Sequence, residues 1–405
     1  MTFRLALSGL NAASADLGVT ANNIANTATT GFKSSRAEFA ELFAVSPQGV
    51  ASTAIGNGVR VASVAQQFSQ GSINFTDNSL DLAISGTGFF TVSNGGALQY
   101  TRAGAFKTNA DGYVVNAQDQ RLQVYPPTTT GGFNTGTLSD LRLVTAESAP
   151  QATSNAEIVM NLPSDATVPT VAVFDPADAA SYTRATSMTV YDTLGAAHTA
   201  TSYFSKDAAA GTWDTRLYVD GTAVGPAQQL VFSNTGVLTA PANGHLVFPA
   251  YTPATGAAAM NLTFDYSKAT QYGSTFGVNS VTQDGFTTGR LIGMDIDKSG
   301  VVQARYTNGR ATPLGQVALS NFANTNGLQH LADTSWAESF QSGQALHGQA
   351  GTSGFGLVQA GALEASNVDI TAQLVNMITA QRNFQANAQM ISTSDQITQT
   401  IINIR

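Results

Sequence analysis

Large apolar residues near the start of the chain fall at Phe3, Leu7, Leu10, Leu17 and Ile24, with Ser14 and Ala21 filling the gaps in steps of four and three. That alternation is a heptad seam, the mark of a helix packed along its length. It returns at the other end through Ile370, Leu374, Met377, Gln381, Phe384, Ala388, Ile391, Asp395, Thr398 and Ile402, widened by Ile378, Ile397, Ile401 and Ile404. The pattern predicts helices over 3–27 and 360–403. At 1.5 Å per residue they would be about 37 Å and about 65 Å long. None of the twelve prolines precedes Pro47 or follows Pro313, so both ends are free of the residue that breaks helices.

Between the ends the period changes. Leu80, Leu82 and Ile84 alternate with polar neighbours, as in a half-buried strand. Asn94-Gly95, Asp111-Gly112, Asp220-Gly221, Asn243-Gly244, Asp284-Gly285 and Asn308-Gly309 can each supply the positive φ of a tight hairpin. The Pro-rich run Tyr125–Gly132 reads as a linker, which suggests one β domain inserted into another. The expected fold is therefore multidomain α+β. Long N- and C-terminal helices pair as a coiled-coil base and carry two mainly antiparallel β domains, the outer inserted into the inner. The expected division is 1–30 with 358–405 for the helical base and 31–72 for a connecting, bracing segment containing Pro47, Gly49, Gly56 and Gly58. Residues 73–145 with 285–357 form the inner β domain and 146–284 the outer one.

Composition changes the picture in one respect. Only 11% of the 405 residues are charged, against about 25% in an ordinary chain. Residues 363–405 carry just Glu364, Asp369, Arg382, Asp395 and Arg405, so the outer face of the C-terminal helix is Asn, Gln, Ser, Thr and Ala. A solvated coiled coil normally carries Glu and Lys there. An uncharged polar face suits close packing on several sides, which an assembly of identical chains supplies.

The net charge of −8 and the lack of a basic stripe argue against nucleic acid. There is no cysteine for disulfide, thiol or metal chemistry. No apolar run approaches the ~20 residues of a membrane span, so no membrane insertion is expected. Met1–Leu10 lacks the pattern of a cleaved secretory signal.

Candidate chemistry is sparse. His198, His245, His330 and His347 are not spaced as metal ligands. Asp295–Gly300 opens like a calcium loop, but Tyr306 stands where the closing Glu belongs, so the run reads as a turn before a strand. No phosphate loop and no nucleophile elbow is present. Trp213 and Trp336 could stack on a sugar ring, but two tryptophans in 405 residues read rather as core or packing residues. A non-enzyme with no cofactor and no metal is expected. A β-rich glycan-binding surface module, binding near Trp213, is the rival of a different class.

Several segments resemble the axial family of the bacterial flagellum, the rod and hook proteins. At the N-terminus they are Leu7–Ala13, Asn22-Asn23-Ile24-Ala25-Asn26-Thr27, and Gly31-Phe32-Lys33 with Arg36, Phe39 and Leu42-Phe43. At the C-terminus they are Leu363–Asp369 with Asn367, Met377-Ile378, Ala380-Gln381-Arg382, Gln385-Ala386-Asn387 and Thr393–Gln396. Gln70–Ile73, Leu80–Phe90 and Tyr100–Gly104 resemble the family's first β domain. Asn161-Leu162-Pro163, Ser181-Tyr182-Thr183 and Val190–Gly195 with His198 resemble the outer domain of hook members, which the shorter distal-rod members lack.

The resemblance implies a subunit of a curved tube that joins rod to filament and transmits torque as a universal joint. The chain itself, as a helical homopolymer, would be the main partner. The distal rod protein, hook cap protein, hook–filament junction protein and flagellar type III export apparatus would be the others. The location would be the extracellular hook, reached without a cleaved signal. Phe3, Leu7, Leu10, Leu17, Ile24, Ile370, Leu374, Met377, Phe384 and Ile391 would pack the helical layer. Asn22, Asn23, Asn26, Gly31, Phe32, Asn367, Asp369, Gln381 and Arg382 carry the family motifs. A distal-rod-type protein, forming straight tubes, is the rival within the class.

Overall fold

The computed structural model describes residues 2–42, 56–129, 131–143 and 147–403. Phe43, Pro47, Gly49, Thr130, Ile404 and Arg405 lie outside these residues, as does the side chain of Ile401.

Two long helices are present, α1 Thr2–Ala25 and α2 Ile370–Asn403. The second begins at Ile370 rather than at 360. Leu357–Ala360 and Ala362–Glu364 are strands instead, paired with Leu82–Ser85 and Ile73–Phe75. Asp369 then sets the start of the helix. Its Oδ1 accepts the amide hydrogens of Thr371 and Ala372 at 2.8 and 3.1 Å, satisfying donors that a first turn leaves free. At the end of α1, Asn26 Nδ2 donates to Asn22 O at 2.9 Å, which covers a last-turn carbonyl.

The chain divides into two compact units. The first comprises Met1–Val144, Gly293–Arg305 and Ala311–Arg405; the second comprises Thr145–Ile292 and Tyr306–Arg310. In the first unit, Ala311–Asn321 is the central strand, buried from Gly315 to Ser320. It pairs antiparallel with Arg121–Tyr125, Phe89–Asn94 and Leu346–Gln349. Phe89, Tyr100, Phe322 and Trp336 form an aromatic core of edge-to-face rings, with Tyr100 and Phe322 centred 4.8 Å apart. Asn94 opposes Ala97 across a two-residue turn whose Gly95 and Gly96 both have positive φ, the conformation that a tight hairpin demands. The Pro-rich run is not a linker. Tyr125 ends a strand, Pro127 bridges Phe133, and Thr128 N–H donates to Gly132 O, all inside this unit.

A buried charge cluster holds the first unit together. Glu364 Oε1 lies 2.6 Å from Lys33 Nζ, and Oε2 lies 3.1 Å from Arg102 Nη1. Gly71 N–H donates to Oε1 at 2.9 Å, and Gly31 N–H donates to Glu364 O at 2.8 Å. Lys33 also reaches Ser69 O at 2.8 Å, and Arg102 reaches Gly86 O at 2.8 Å. Burial pushes the Lys33 ammonium below its ordinary value, against the pull of Glu364. Glu364 is therefore not an outer-face charge of a helix, as its place in the sequence suggested. It is a fully buried hub on a strand.

The second unit is a two-sheet β structure. Arg184–Tyr191, Ala197–Lys206, Thr212–Val219, Gln228–Phe232 and Leu238–Ala240 form an antiparallel sheet. In the other sheet, Asn155–Pro163 alternates buried and half-exposed residues, burying Ile158, Met160 and Leu162. This strand runs antiparallel to Gly277–Gln283 and parallel to Thr263–Asp265 and Thr270–Tyr272, within a mainly antiparallel fold. Trp213, Phe204, Leu230 and Phe264 fill the space between, each at 0% exposure. Asp220-Gly221 makes a tight hairpin turn, with both residues at positive φ. Asp284-Gly285 does not. Asp284 Oδ1 accepts the amide hydrogens of Ser154 and Asn155, at 2.8 and 3.0 Å.

One ionisable group in the second unit is held between two others. His198 Nδ1 lies 2.6 Å from Asp220 Oδ2, and Nε2 lies 3.2 Å from Asp192 Oδ2. Thr255 Oγ1 donates to the same Asp192 oxygen at 2.7 Å, and the Tyr251 ring packs edge-on to the imidazole. Burial alone would lower the His198 pKa, but hydrogen bonds and charge from both aspartates raise it above 6.5. Burial opposes the Asp192 charge too, yet hydrogen bonds from Thr255, Ala196, His198 and Leu194 bring it down to about 2.

Two expectations follow. Glu364→Gln strips the counter-charge from Lys33 and Arg102 and should cost the first unit about 3–5 kcal/mol. Urea unfolding in a Trp213→Phe background, where Trp336 fluorescence reports that unit alone, checks this. The His198 contribution is complete below its ordinary 6.5 and is lost as pH rises through its raised value. The Asp192 contribution is complete above 3.8 and is lost as pH falls toward 2. In a Trp336→Phe background, Trp213 fluorescence should give a higher melting temperature at pH 5.5 than at pH 9. His198→Gln should reduce that difference.

Candidate self-assembly interface

The face of α1 that packs within the chain is not the large apolar seam. Ala6, Ala12, Ala13, Thr20 and Asn23 are its buried residues. With Gly9 and Asp16, the line 6-9-13-16-20-23 sits about one position before each seam residue. On α2 the less exposed line is Gln373, Met377, Ala380, Phe384, Asn387, Ile391 and Ser394, again in steps of four and three. The helices run antiparallel, because Asn23 Nδ2 donates to Gln373 Oε1 at 3.2 Å while a Cβ on Gly9 would stand 2.8 Å from Asn387 Cγ. Small residues on α1 let the larger ones on α2 approach closely. Asp16 lies on this line, and burial raises its carboxyl pKa.

The large seam residues are thereby left uncovered. Phe3 and Leu7 are exposed, and Leu10, Leu17 and Ile24 are half-buried. On α2, Ile370 and Leu374 are exposed, whereas Met377, Phe384 and Ile391 belong to both lines and are half-buried. Val375, Ile378, Met390, Ile397 and Ile402 add further uncovered apolar surface. A folded chain that leaves so much apolar side chain in water has surface for another chain to cover.

The motif residues brace this layer. Asn23 pairs with the Ser35 backbone in both directions, accepting its N–H at 2.9 Å and donating to its carbonyl at 2.7 Å. Ser35 opens the strand Ser35–Glu41, which pairs with Val59–Gln66 as a two-stranded ribbon. Ser8 Oγ accepts the Val59 N–H at 3.3 Å, so α1 holds the ribbon near both ends. Asn367 accepts the Ser34 N–H at 2.7 Å and donates to Gln67 O at 2.7 Å, clasping both strands just before α2. Gly31 is buried at φ 70°, and a Cβ there would stand 2.5 Å from Ala103 N, so only glycine fits. Asn26 accepts the Thr29 hydroxyl at 3.0 Å. Phe32 is half-buried, and Asn22, Gln381 and Arg382 are exposed.

Trp213 and Trp336, the residues marked for sugar stacking, are both buried and present no ring to a ligand. Trp336 Nε1 instead donates to Gln66 Oε1 at 2.6 Å, fixing the ribbon to the aromatic core. His347 Nδ1 bonds the buried Ser320 hydroxyl at 2.8 Å. Asp297 Oδ1 accepts the Ser299 and Val301 amide hydrogens, both at 2.9 Å, which makes Asp295–Gly300 a turn. Among the described residues no group of His, Asp and Glu is arranged to hold a metal ion.

The helix pairing makes opposite demands on two glycines of α1. Gly18→Ala meets no atom within 4 Å and should stabilise the helix by about 0.5–1 kcal/mol. Gly9→Leu forces a side chain into α2 and should cost about 1–3 kcal/mol. Urea melts followed by far-UV circular dichroism check both signs.

Comparison with known proteins covers almost the whole chain. Residues 3–33 match the flagella basal body rod protein family, and 83–173 match the flagellar hook protein FlgE/F/G D1 domain. Residues 161–286 match the flagellar basal body protein FlaE D2 domain, and 359–404 match the flagellar basal body rod FlgEFG protein C-terminal family. The crystal structure of Helicobacter pylori flagellar hook protein FlgE2 superposes with a TM-score of 0.54 over 72% of this chain and all of that one. At 13% identity, that likeness speaks for the fold alone. The flagellar hook protein FlgE of Rhizobium meliloti is 33% identical over 100% of this chain and 98% of its own length. Those of Escherichia coli K12 and Salmonella typhimurium are each 39% identical over the full length of both chains. Identity of that extent, together with paired terminal helices and a β-rich body, shows that the chain belongs to the flagellar hook protein family.

Proposed function

We propose that this chain is a structural subunit of the bacterial flagellar hook and that it polymerises through its terminal helices into a curved tube. The observation that carries this reading is that the packing of α1 on α2 leaves apolar side chains of both helices uncovered. On α1 the small-residue face is used within the chain. The face bearing Phe3, Leu7, Ile370 and Leu374 is left uncovered. Burying one such side chain between subunits contributes about 1.5–3 kcal/mol. The ten seam residues named above therefore form the helical packing set, and the motif residues brace them.

In this reading 1–30 and 358–405 line the tube and 31–72 brace neighbouring subunits. Residues 73–145 with 285–357 form an inner layer and 146–284 an outer one. The outer surface, rich in Thr, Asn, Gln and Gly, offers many weak contacts of similar energy, which suits subunit rows that lengthen and shorten as a bent tube turns. The role is mechanical, with no reaction catalysed. Its neighbours would be the distal rod protein, the hook cap protein and the hook–filament junction protein. Delivery would be by the flagellar type III apparatus, without a cleaved signal, to the extracellular hook.

The test uses the full chain, because trimming it to the β body would remove Lys33 and Glu364 and leave Arg102 charged and unpaired. Concentrated wild-type protein should form curved tubes by negative-stain electron microscopy. Leu7→Asn with Leu374→Asn, both at exposed positions, should leave the monomer melt unchanged and abolish the tubes. Straight tubes would indicate a rod-type subunit. Tubes from the double variant would refute assembly through this face.

A further inference from the structure

Outside the helical layer, one side chain stands apart. Phe340 is 104% exposed, the highest value among the described large apolar residues, followed by Val173 at 79% and Phe75 at 76%. It lies in the first unit, on the connection between strands Ser335–Ala337 and Leu346–Gln349. An exposed phenylalanine on a slack loop would need no explanation, since it could fold back onto apolar surface. This loop is fastened on both sides of Phe340.

Ser339 Oγ donates to Gly327 O and accepts the amide hydrogens of Gln341 and Ser342, at 3.1 and 3.3 Å. Ser342 Oγ accepts the Ser339 N–H at 2.9 Å and lies 2.9 Å from Ser339 O. Ser342 itself is fully buried. From the neighbouring segment, Asn324 Nδ2 donates to Gln341 O at 3.0 Å, and Asn324 N–H donates to Ser342 O at 3.3 Å. Two serines and an asparagine thus hold the backbone on both sides of Phe340, which sets the direction of its Cα–Cβ bond away from the body. An aromatic side chain with two χ angles on a backbone already held gives up little conformational freedom on binding, the property of an interface anchor.

We infer that Phe340 is a contact knob that packs against a second copy of this chain. The inference deepens the proposed function and rests on it. In a tube of identical subunits, every copy away from the ends is surrounded by the same chain, so a knob borne by each copy meets that chain. The chemistry around the knob agrees. From Ser335 to Gly356 the one acidic or basic residue besides His347 is Glu338. The knob therefore sits in a charge-poor surface, which complements a chain of only 11% charged residues rather than a strongly acidic or basic partner. Leu346, on the strand that follows, is exposed as well.

The experiment places p-benzoylphenylalanine at position 340 of the full chain, assembles it and irradiates the polymer. The expected product is a covalent ladder of this chain alone. In parallel, Phe340→Ser should raise the protein concentration needed for sedimentable polymer by about tenfold or more. Its monomer melt should match wild type, and Phe340→Leu should recover most of the loss. If tubes form but irradiation links no two copies, or links the chain only to a different flagellar protein when isolated hooks are irradiated, the inference is overturned while the hook reading stands. Unchanged assembly of Phe340→Ser overturns it equally. If the unaltered chain forms no tubes, the hook reading falls and takes the inference with it.

Discussion

The carboxylate of Glu364, buried between Lys33 and Arg102, is the interaction on which the first unit depends. It joins the turn after α1, the β body and the strand before α2 at one point. Desolvating three charges is costly, and the geometry offsets that cost through further hydrogen bonds to most of the remaining donors, Arg102 Nε being the buried one left without a partner. Gly71, Ser69 and Gly86 supply those partners from backbone. A displacement of any of the three segments would break several charge-assisted bonds together. The helices are consequently seated on the body by directional bonds, not by apolar contact alone.

Around this hub, the chain separates what it uses for itself from what it leaves for others. Inside, α1 turns Ala6, Gly9, Ala13 and Thr20 toward α2, and asparagine amides tie the ribbon to both helices. Outside, leucine, isoleucine and phenylalanine face water. Small residues make a close and geometrically strict contact worth little area. Large ones make a contact whose worth is mostly area and which tolerates a shift in register. A strict inner contact beside a tolerant outer one suits a subunit that must keep its shape while its neighbours move.

The existence of the helices was legible because heptad spacing survives without knowledge of the partner. Which face each helix buries was not, because periodicity scores large residues, and the packed line of α1 is made of Ala, Gly and Thr one position away. The start of α2 is obscured for a related reason. Leu363 continues the four-three spacing backward from Ile370, but Leu357–Ala360 and Ala362–Glu364 pair as strands with segments far back in the chain. Glu364 looked like one of a few surface charges. Its role rests on contacts with Lys33 and Arg102 at sequence separations of 331 and 262 residues, which no local pattern encodes. Lys33, Arg102 and Glu364 each lie inside a segment that carried the family resemblance, so the signal was present without its physical meaning. Trp213 and Trp336 are the opposite case, since residue type alone favours core packing for two tryptophans in a chain of this length, and both are buried.

Those separations also concern time. A chain made from its N-terminus presents Lys33 and Arg102 long before Glu364 exists. During that interval the site meant to enclose them holds two like charges and no counter-charge, so closing it early is unfavourable. The body of the first unit can be completed only when nearly the whole chain has been delivered. The same bonds that make the finished subunit stiff therefore postpone its folding, and a chain so delayed remains threadable for longer than its stability would suggest.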